Sequence, residues 1–130
     1  MNSSALLRRV LALDSASCLA IGLLLALGAG PLSSLFGLGE KLLFGAGLLL
    51  LPLAAFIAWL ASRPVPPMAL VWLVIVGNLA WTAESFLLIS TESGRITPAG
   101  TAFVAAQAVA VLGVALLEYV GVRRLRATAA

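Results

Sequence analysis

Four long hydrophobic stretches alternate with short polar segments along the chain. The hydrophobic stretches cover approximately residues 10–30, 42–61, 68–89 and 100–122. Each has about the 20 residues that a helix needs to cross a bilayer, and none has the strict alternation of a barrel strand. The pattern predicts an all-α, polytopic integral membrane protein. We expect four transmembrane helices packed as an antiparallel bundle, in a single domain covering residues 1–130.

The polar segments have the composition of loops. They read PLSSLFGLGEK at 31–41, SRPVPP at 62–67 and STESGRITP at 90–98. Prolines lack an amide donor and restrict the residue before them, so a helix cannot continue through the second segment. This segment predicts a tight hairpin of the second and third helices. The first segment is predicted to lie along the outer headgroups.

The composition identifies the solvent of these helices as lipid. Hydrophobic residues make up 62% of the chain and charged residues only 10%, whereas soluble domains have about 25% charged residues. A soluble domain of 130 residues could not bury this much apolar surface, because small domains leave a large part of their surface exposed.

The distribution of basic residues predicts the orientation. Six arginines flank the ends of the helices that share a side with the two termini: Arg8, Arg9, Arg63, Arg123, Arg124 and Arg126. Only Lys41 and Arg95 lie in the other loops. Basic loops remain in the cytoplasm, so both termini are predicted to be cytoplasmic, in the inner membrane of a bacterium. The net charge of +3 is interpreted as contact with anionic lipids and not with nucleic acid.

Few residues in the chain support enzyme chemistry. Histidine is absent and Cys18 is the only cysteine, which removes the usual zinc and haem ligand sets. No metal, cofactor or catalytic residue is predicted, and the chain is not expected to be an enzyme. The competing hypothesis, a lipid-modifying enzyme with Glu84 or Asp14 as general base, has no nucleophile and orienting group at a matching depth.

Polar side chains interrupt the third hydrophobic stretch, VIVGNLAWTAESFLLI at 74–89. An acidic side chain in hydrocarbon requires about 2.5–3.5 kcal/mol at a helix centre, so other groups must offset this energy. Helical spacing places these polar residues on one arc, and a glutamine of the fourth helix lies at a similar depth. We predict an outer polar tier that binds a ligand or a proton, consisting of Asn78, Trp81, Glu84, Ser85 and Gln107.

A second group of polar residues is predicted near the inner surface. Asp14 lies early in the first helix and Glu118 late in the fourth. Antiparallel packing therefore places both at a similar depth, where they form an inner polar tier. Ion pairs with the arginines at the helix ends are the favoured role for these two acids.

These features lead to two main functional hypotheses. In the first, the protein binds or transports a small cationic or amphipathic solute, with proton coupling, because ionisable residues inside the membrane mark such pathways. In the second, the protein is a non-catalytic partner of a larger membrane complex. Small residues on the fourth helix could pack against a second copy of the chain or another membrane protein: Ala102, Ala106, Ala110 and Gly113.

In length and in the acid of its first helix, Asp14, the chain resembles the small multidrug transporters. The motifs of their remaining helices are missing here, and the strong bias of arginines to one side differs from the dual topology of that family. The residues assign the chain to no family. They are typical of the broad group of four-helix membrane proteins of bacteria.

Overall fold

The computed structural model describes residues 4–129, with backbone alone for residues 128 and 129. In this part of the chain every regular element is a helix: α1 (Ala5–Leu27), α2 (Ala29–Phe36), α3 (Glu40–Ser62), α4 (Met68–Thr91) and α5 (Pro98–Ala129). Four of them, α1, α3, α4 and α5, are long and apolar enough to cross a membrane. The prediction of an all-α protein with four membrane-spanning helices is confirmed at this level.

The short helix α2 was not predicted. It begins directly after Gly28 and ends at Gly37, whose φ of 69° is left-handed. Ala29 and Phe36 are buried, and the Phe36 ring stacks on Phe103 of α5 at 4.8 Å between ring centroids. Packing against the long helices therefore stabilises this helix within a segment whose composition is that of a loop.

Each long helix packs closely on only some of the others. The most extensive contact joins α1 to α3, followed by α4 with α5 and α1 with α5. The α1–α3 contact is close because glycines face each other, and a Cβ atom on Gly47 would lie 2.7 Å from the carbonyl oxygen of Gly22. Small residues allow this approach, which contributes much of the association energy of helices in lipid.

The predicted tight hairpin of α3 and α4 is wrong. The 62–67 segment does connect these two helices, but α3 packs chiefly on α1 and α4 chiefly on α5. The backbones of α3 and α4 make the least extensive contact of the packed helix pairs in the described residues. Space therefore remains between the two helix pairs, and the candidate site borders that space.

Two clusters of buried apolar residues lie at opposite ends of the molecule. The ends of α1 and α3 that lie near the 62–67 loop meet there, where Ser4 donates a hydrogen bond to the carbonyl of Pro64. We call this end the termini side. Its core contains Leu7, Leu11, Ile57, Leu60, Val71, Val74, Ile75, Val122 and Leu125. At the opposite end, the α2 side, the core contains Leu25, Ala29, Phe36, Leu38, Leu43, Leu50 and Val104.

Candidate binding site

The central feature of the site is a pair of buried carboxyl groups that share one amide. Nδ2 of Asn78 on α4 donates to Oδ2 of Asp14 at 2.8 Å and to Oε1 of Glu118 at 2.9 Å. Asp14 is 4% exposed and Glu118 is fully buried. The two acids of the predicted inner polar tier do lie together. Asn78, predicted in the outer tier, belongs to this group instead.

Among the described residues, the carboxyl oxygens of Asp14 and Glu118 accept hydrogen bonds from only two side chains, the Asn78 amide and the Cys18 thiol. The thiol of Cys18 donates to Oδ1 of Asp14 at 3.7 Å, which is a weak contact. Oε2 of Glu118 has no hydrogen-bond partner among the described residues. The predicted ion pairs with arginine are absent from the described residues, in which the two acids contact the Asn78 amide and the Cys18 thiol instead.

A second hydrogen-bonded chain lies farther toward the α2 side. Nε1 of Trp81 donates to Oε1 of Gln107 at 2.8 Å, and Nε2 of Gln107 donates to Oγ of Ser85 at 2.9 Å. Three of the five residues predicted for the outer polar tier are therefore in contact, and they join α4 to α5. These hydrogen bonds use both the oxygen and the nitrogen of the Gln107 side-chain amide.

Glu84, also predicted in the outer polar tier, does not take part in these hydrogen bonds. Glu84 is exposed in the described structure, whereas the amide of Gln107 bonds to Trp81, Ser85 and the carbonyl of Val104. The physical reason is the angular position of Glu84 around the axis of α4. Ser85 and Thr82 of α4 are buried against α5, and Glu84 lies beside this face and not on it.

The larger of two cavities adjoins the carboxyl pair. Its volume is about 770 Å³, within the range of about 300–1,000 Å³ typical of small-molecule sites. All four long helices line it, and most of its lining is apolar. Its polar lining residues include Asp14, Asn78, Trp81 and Gln107. Asp14 lines the cavity and Glu118 does not, so Glu118 lies behind the other two members of its group.

A smaller cavity of about 350 Å³ lies toward the α2 side, bordered by Glu84, Ser85 and Gly45. The two cavities share four lining residues: Ile21, Trp81, Phe103 and Gln107. The Trp81–Gln107 hydrogen bond therefore lies at the boundary between them.

Sequence reasoning missed three features of this site. Cys18 lies one turn after Asp14 on α1, a spacing that would have placed it beside the acid. Phe103 lines both cavities, and Gly77 lines the larger one, but an aromatic residue and a glycine in an apolar helix give no signal of a cavity.

The helices and the site define the coarse class of this protein, a multi-pass membrane protein with buried acids beside an apolar cavity. Comparison with protein-family models, with curated proteins and with solved structures finds no match to the chain. Its function must therefore be argued from the site alone.

Proposed function

We propose that this protein binds a small solute with a positive charge and an apolar body inside the membrane, and carries it across in exchange for a proton. The observation that carries the proposal is the shared Asn78 amide between Asp14 and Glu118, at the edge of the larger cavity.

In the described residues, the titratable side chains that face Asp14 are Cys18 and Glu118, and neither can contribute a positive charge. The residues of α3 and α4 at the larger cavity include no basic side chain. Two ionised carboxylates in so apolar a region would repel each other and lack solvation. A bound proton or a bound cation removes this unfavourable charge.

The cavity determines what kind of cation is accepted. Its lining is mostly aliphatic and aromatic, including Phe56, Trp81 and Phe103. Such a surface favours an apolar body through burial, and an aromatic face attracts an organic cation. A small hydrated metal ion would gain neither contact. The chemical class that matches is an organic ammonium or a similar amphipathic cation.

The two acids have different roles in this proposal. Asp14 lines the cavity and contacts the solute, while Glu118 lies behind it and holds the proton in the empty state. When the cation binds, its charge replaces that of the proton, which leaves for solvent. When the cation leaves, a proton returns to the pair. Exchange of one charge for another keeps the net charge of the site constant.

The proposal also includes the orientation of the protein and the membrane in which it lies. The six arginines lie on the termini side, and two of them contact aromatic rings there: Arg63 lies 5.3 Å from the Trp59 ring centroid and Arg123 lies 5.9 Å from that of Tyr119. Such clusters are typical of the cytoplasmic interface. We therefore assign both termini to the cytoplasm of a bacterial cell, with the helices packed as an antiparallel bundle in its inner membrane.

A second candidate function is that of a non-catalytic subunit. One observation favours it: the small residues of α5 predicted to form a helix contact, Ala102, Ala106, Ala110 and Gly113, are exposed in the single chain. A second copy or another membrane protein could cover them. Purification from native membranes tests this function, because recovery in a fixed ratio with one other membrane protein supports it.

Proton release on binding tests the proposed exchange. The purified protein in lipid nanodiscs is mixed, in weakly buffered solution, with bromohexyl-trimethylammonium, a permanently charged cation that has no proton of its own to release. We expect on the order of one proton released per cation bound, as linkage between the two ligands requires. Asp14→Asn should abolish proton release and the cation binding that is coupled to it.

A cavity-filling variant and its matched control complete the test. A Cβ atom added at Gly77 or at Gly113 meets no atom within 4 Å, so both positions can accept a larger side chain, but only Gly77 lines the larger cavity. Gly77→Leu should prevent cation binding in the larger cavity, and Gly113→Leu should not. Binding that is unchanged in both Asp14→Asn and Gly77→Leu would refute the proposal.

A further inference from the structure

The smaller cavity contains one charged group. Among its lining residues only Glu84 is ionisable, and the others are mainly aliphatic or aromatic. Ser85 and Gln107 also line it, but their polar atoms already bond to each other. The Ser85 hydroxyl donates to the carbonyl of Trp81 at 2.7 Å. No donor in the described lining is therefore left for the Glu84 carboxylate.

Glu84 also lies within a membrane-spanning helix. It is seven residues before Thr91, where α4 ends, which corresponds to about 10 Å along the helix axis. A carboxylate at such a depth is unfavourable unless a partner or water offsets its charge. The neighbouring amide is occupied, and the smaller cavity beside Glu84 has room for a cation that would offset its charge.

Four residues line both cavities, and Trp81 and Gln107 are the ones among them with polar side-chain atoms. Trp81, whose side chain lines both, is held by its hydrogen bond to Gln107. The indole therefore presents a surface to each cavity.

We propose that the smaller cavity is a second binding subsite for an organic ammonium, in which the Glu84 carboxylate pairs with the cationic group and the Trp81 ring contacts it. The solute enters this subsite from the α2 side and then passes Trp81 to reach Asp14. This inference rests on the proposed function, since it names an additional site for the same class of solute.

The fluorescence of Trp81 reports cation binding in the experiment that tests this subsite. The chain has three tryptophans, and Trp59→Phe with Trp72→Phe leaves only the one that lines both cavities. Bromine quenches indole fluorescence on contact, so bromohexyl-trimethylammonium reports the occupation of either cavity in nanodiscs. A neutral bromoalkane of the same length measures the quenching that partition into lipid produces without charge recognition.

Two variants address the smaller cavity alone. Glu84→Gln removes the charge at an exposed position. Gly45→Leu fills the cavity, because Gly45 lines it and a Cβ atom there meets nothing within 4 Å. Gly113→Leu is the matched control outside both cavities. We expect two saturable quenching components with the cation. Glu84→Gln and Gly45→Leu should weaken one of them by about tenfold or more, the factor of a lost charged contact.

The possible results separate the two proposals. If Asp14→Asn removes one component and Glu84→Gln and Gly45→Leu leave the titration unchanged, the second subsite is refuted and the proposed function stands. If Glu84→Gln weakens the quenching and Asp14→Asn has no effect, the subsite exists and the proposed exchange at Asp14 fails. Quenching by the cation equal to that by the neutral bromoalkane would refute both.

Discussion

Asp14 of α1 and Glu118 of α5 accept hydrogen bonds from the same nitrogen atom, Nδ2 of Asn78. The amide is 64 residues from the first acid and 40 from the second, so these two bonds tie three membrane-spanning helices together at one point. The arrangement brings two carboxyl groups together where water is scarce, and the proposed cation would offset the charge that they carry when ionised.

Removal of the shared amide should destabilise the fold. Asn78→Ala leaves two buried carboxyl groups without their main donor, and we expect the free energy of unfolding to fall by roughly 1–3 kcal/mol for each group. Reversible unfolding in mixed micelles measures this change. In a double-mutant cycle with Asp14→Ala, the coupling energy should be on the order of 0.5–3 kcal/mol. Strictly additive effects would show that the hydrogen bond between Asn78 and Asp14 contributes little to the free energy of unfolding.

Glu118→Gln should separate binding from proton exchange. Asp14 lines the larger cavity and Glu118 does not, so the variant should retain most of its affinity for the cation. Proton release should fall from about one per cation bound to nearly none, because the group that holds the proton is gone. Potentiometry and equilibrium binding on the same sample measure both quantities. Undiminished release in this variant would show that another group holds the proton.

In the wild-type protein, cation binding should weaken as the pH falls. A proton and the cation compete for the same carboxyl pair, so a higher proton concentration raises the apparent Kd of the cation. The slope approaches a tenfold change in Kd per pH unit where one proton is exchanged for each cation. Titrations across a pH series measure this slope, and a Kd independent of pH would exclude competition.

The glycine contact between α1 and α3 should be intolerant of even a methyl group. A Cβ atom on Gly47 would lie 2.5 Å from the backbone nitrogen of Ala26, so Gly47→Ala must push the helices apart. We expect a loss of about 1–3 kcal/mol in unfolding free energy, as for other overpacked contacts. Gly45→Ala, two residues earlier on the same helix with open space around it, is the control. Equal stability of the two variants would contradict the close contact.

The end of α2 depends on a left-handed glycine. Gly37 has a φ of 69°, and a Cβ atom there would overlap the carbonyl of Arg95. Gly37→Ala should destabilise the protein by about 1–2 kcal/mol for the backbone alone, with a further loss from the overlap. Gly39→Ala is the control, since φ is −61° and the nearest atom to a Cβ is 3.9 Å away. Thermal unfolding of both variants measures the difference.

Cysteine labelling tests the orientation. In a Cys18→Ala background, Ala127→Cys should react with a membrane-impermeant maleimide only after the cells are opened. Ser93→Cys, in the loop between α4 and α5, should react in intact cells. The expectation follows from the excess of arginine on the termini side. The reverse pattern of reaction would place both termini outside.

Individual residues show how far the sequence could predict the site. The depth of Asp14 and of Glu118 follows from their positions in two antiparallel helices, and their proximity was predicted. Their partner was not. Asn78 was grouped with Glu84 because helical spacing placed both on one polar arc, but the Asn78 amide bonds to Asp14 and Glu118 and Glu84 is exposed. A small error in helix rotation therefore exchanges a buried residue for an exposed one.

The sequence by itself determined that the chain is helical and has four spans, because about 20 apolar residues in lipid have few other ways to satisfy their backbone. It also predicted that Asp14 and Glu118 lie close together. The tertiary structure alone decided which helices pack together, that α3 lies on α1 and away from α4, and which polar groups share a hydrogen bond. Those choices depend on contacts such as Gly22 with Gly47, which hydropathy cannot register because it measures apolar character and not the shape of a helix face.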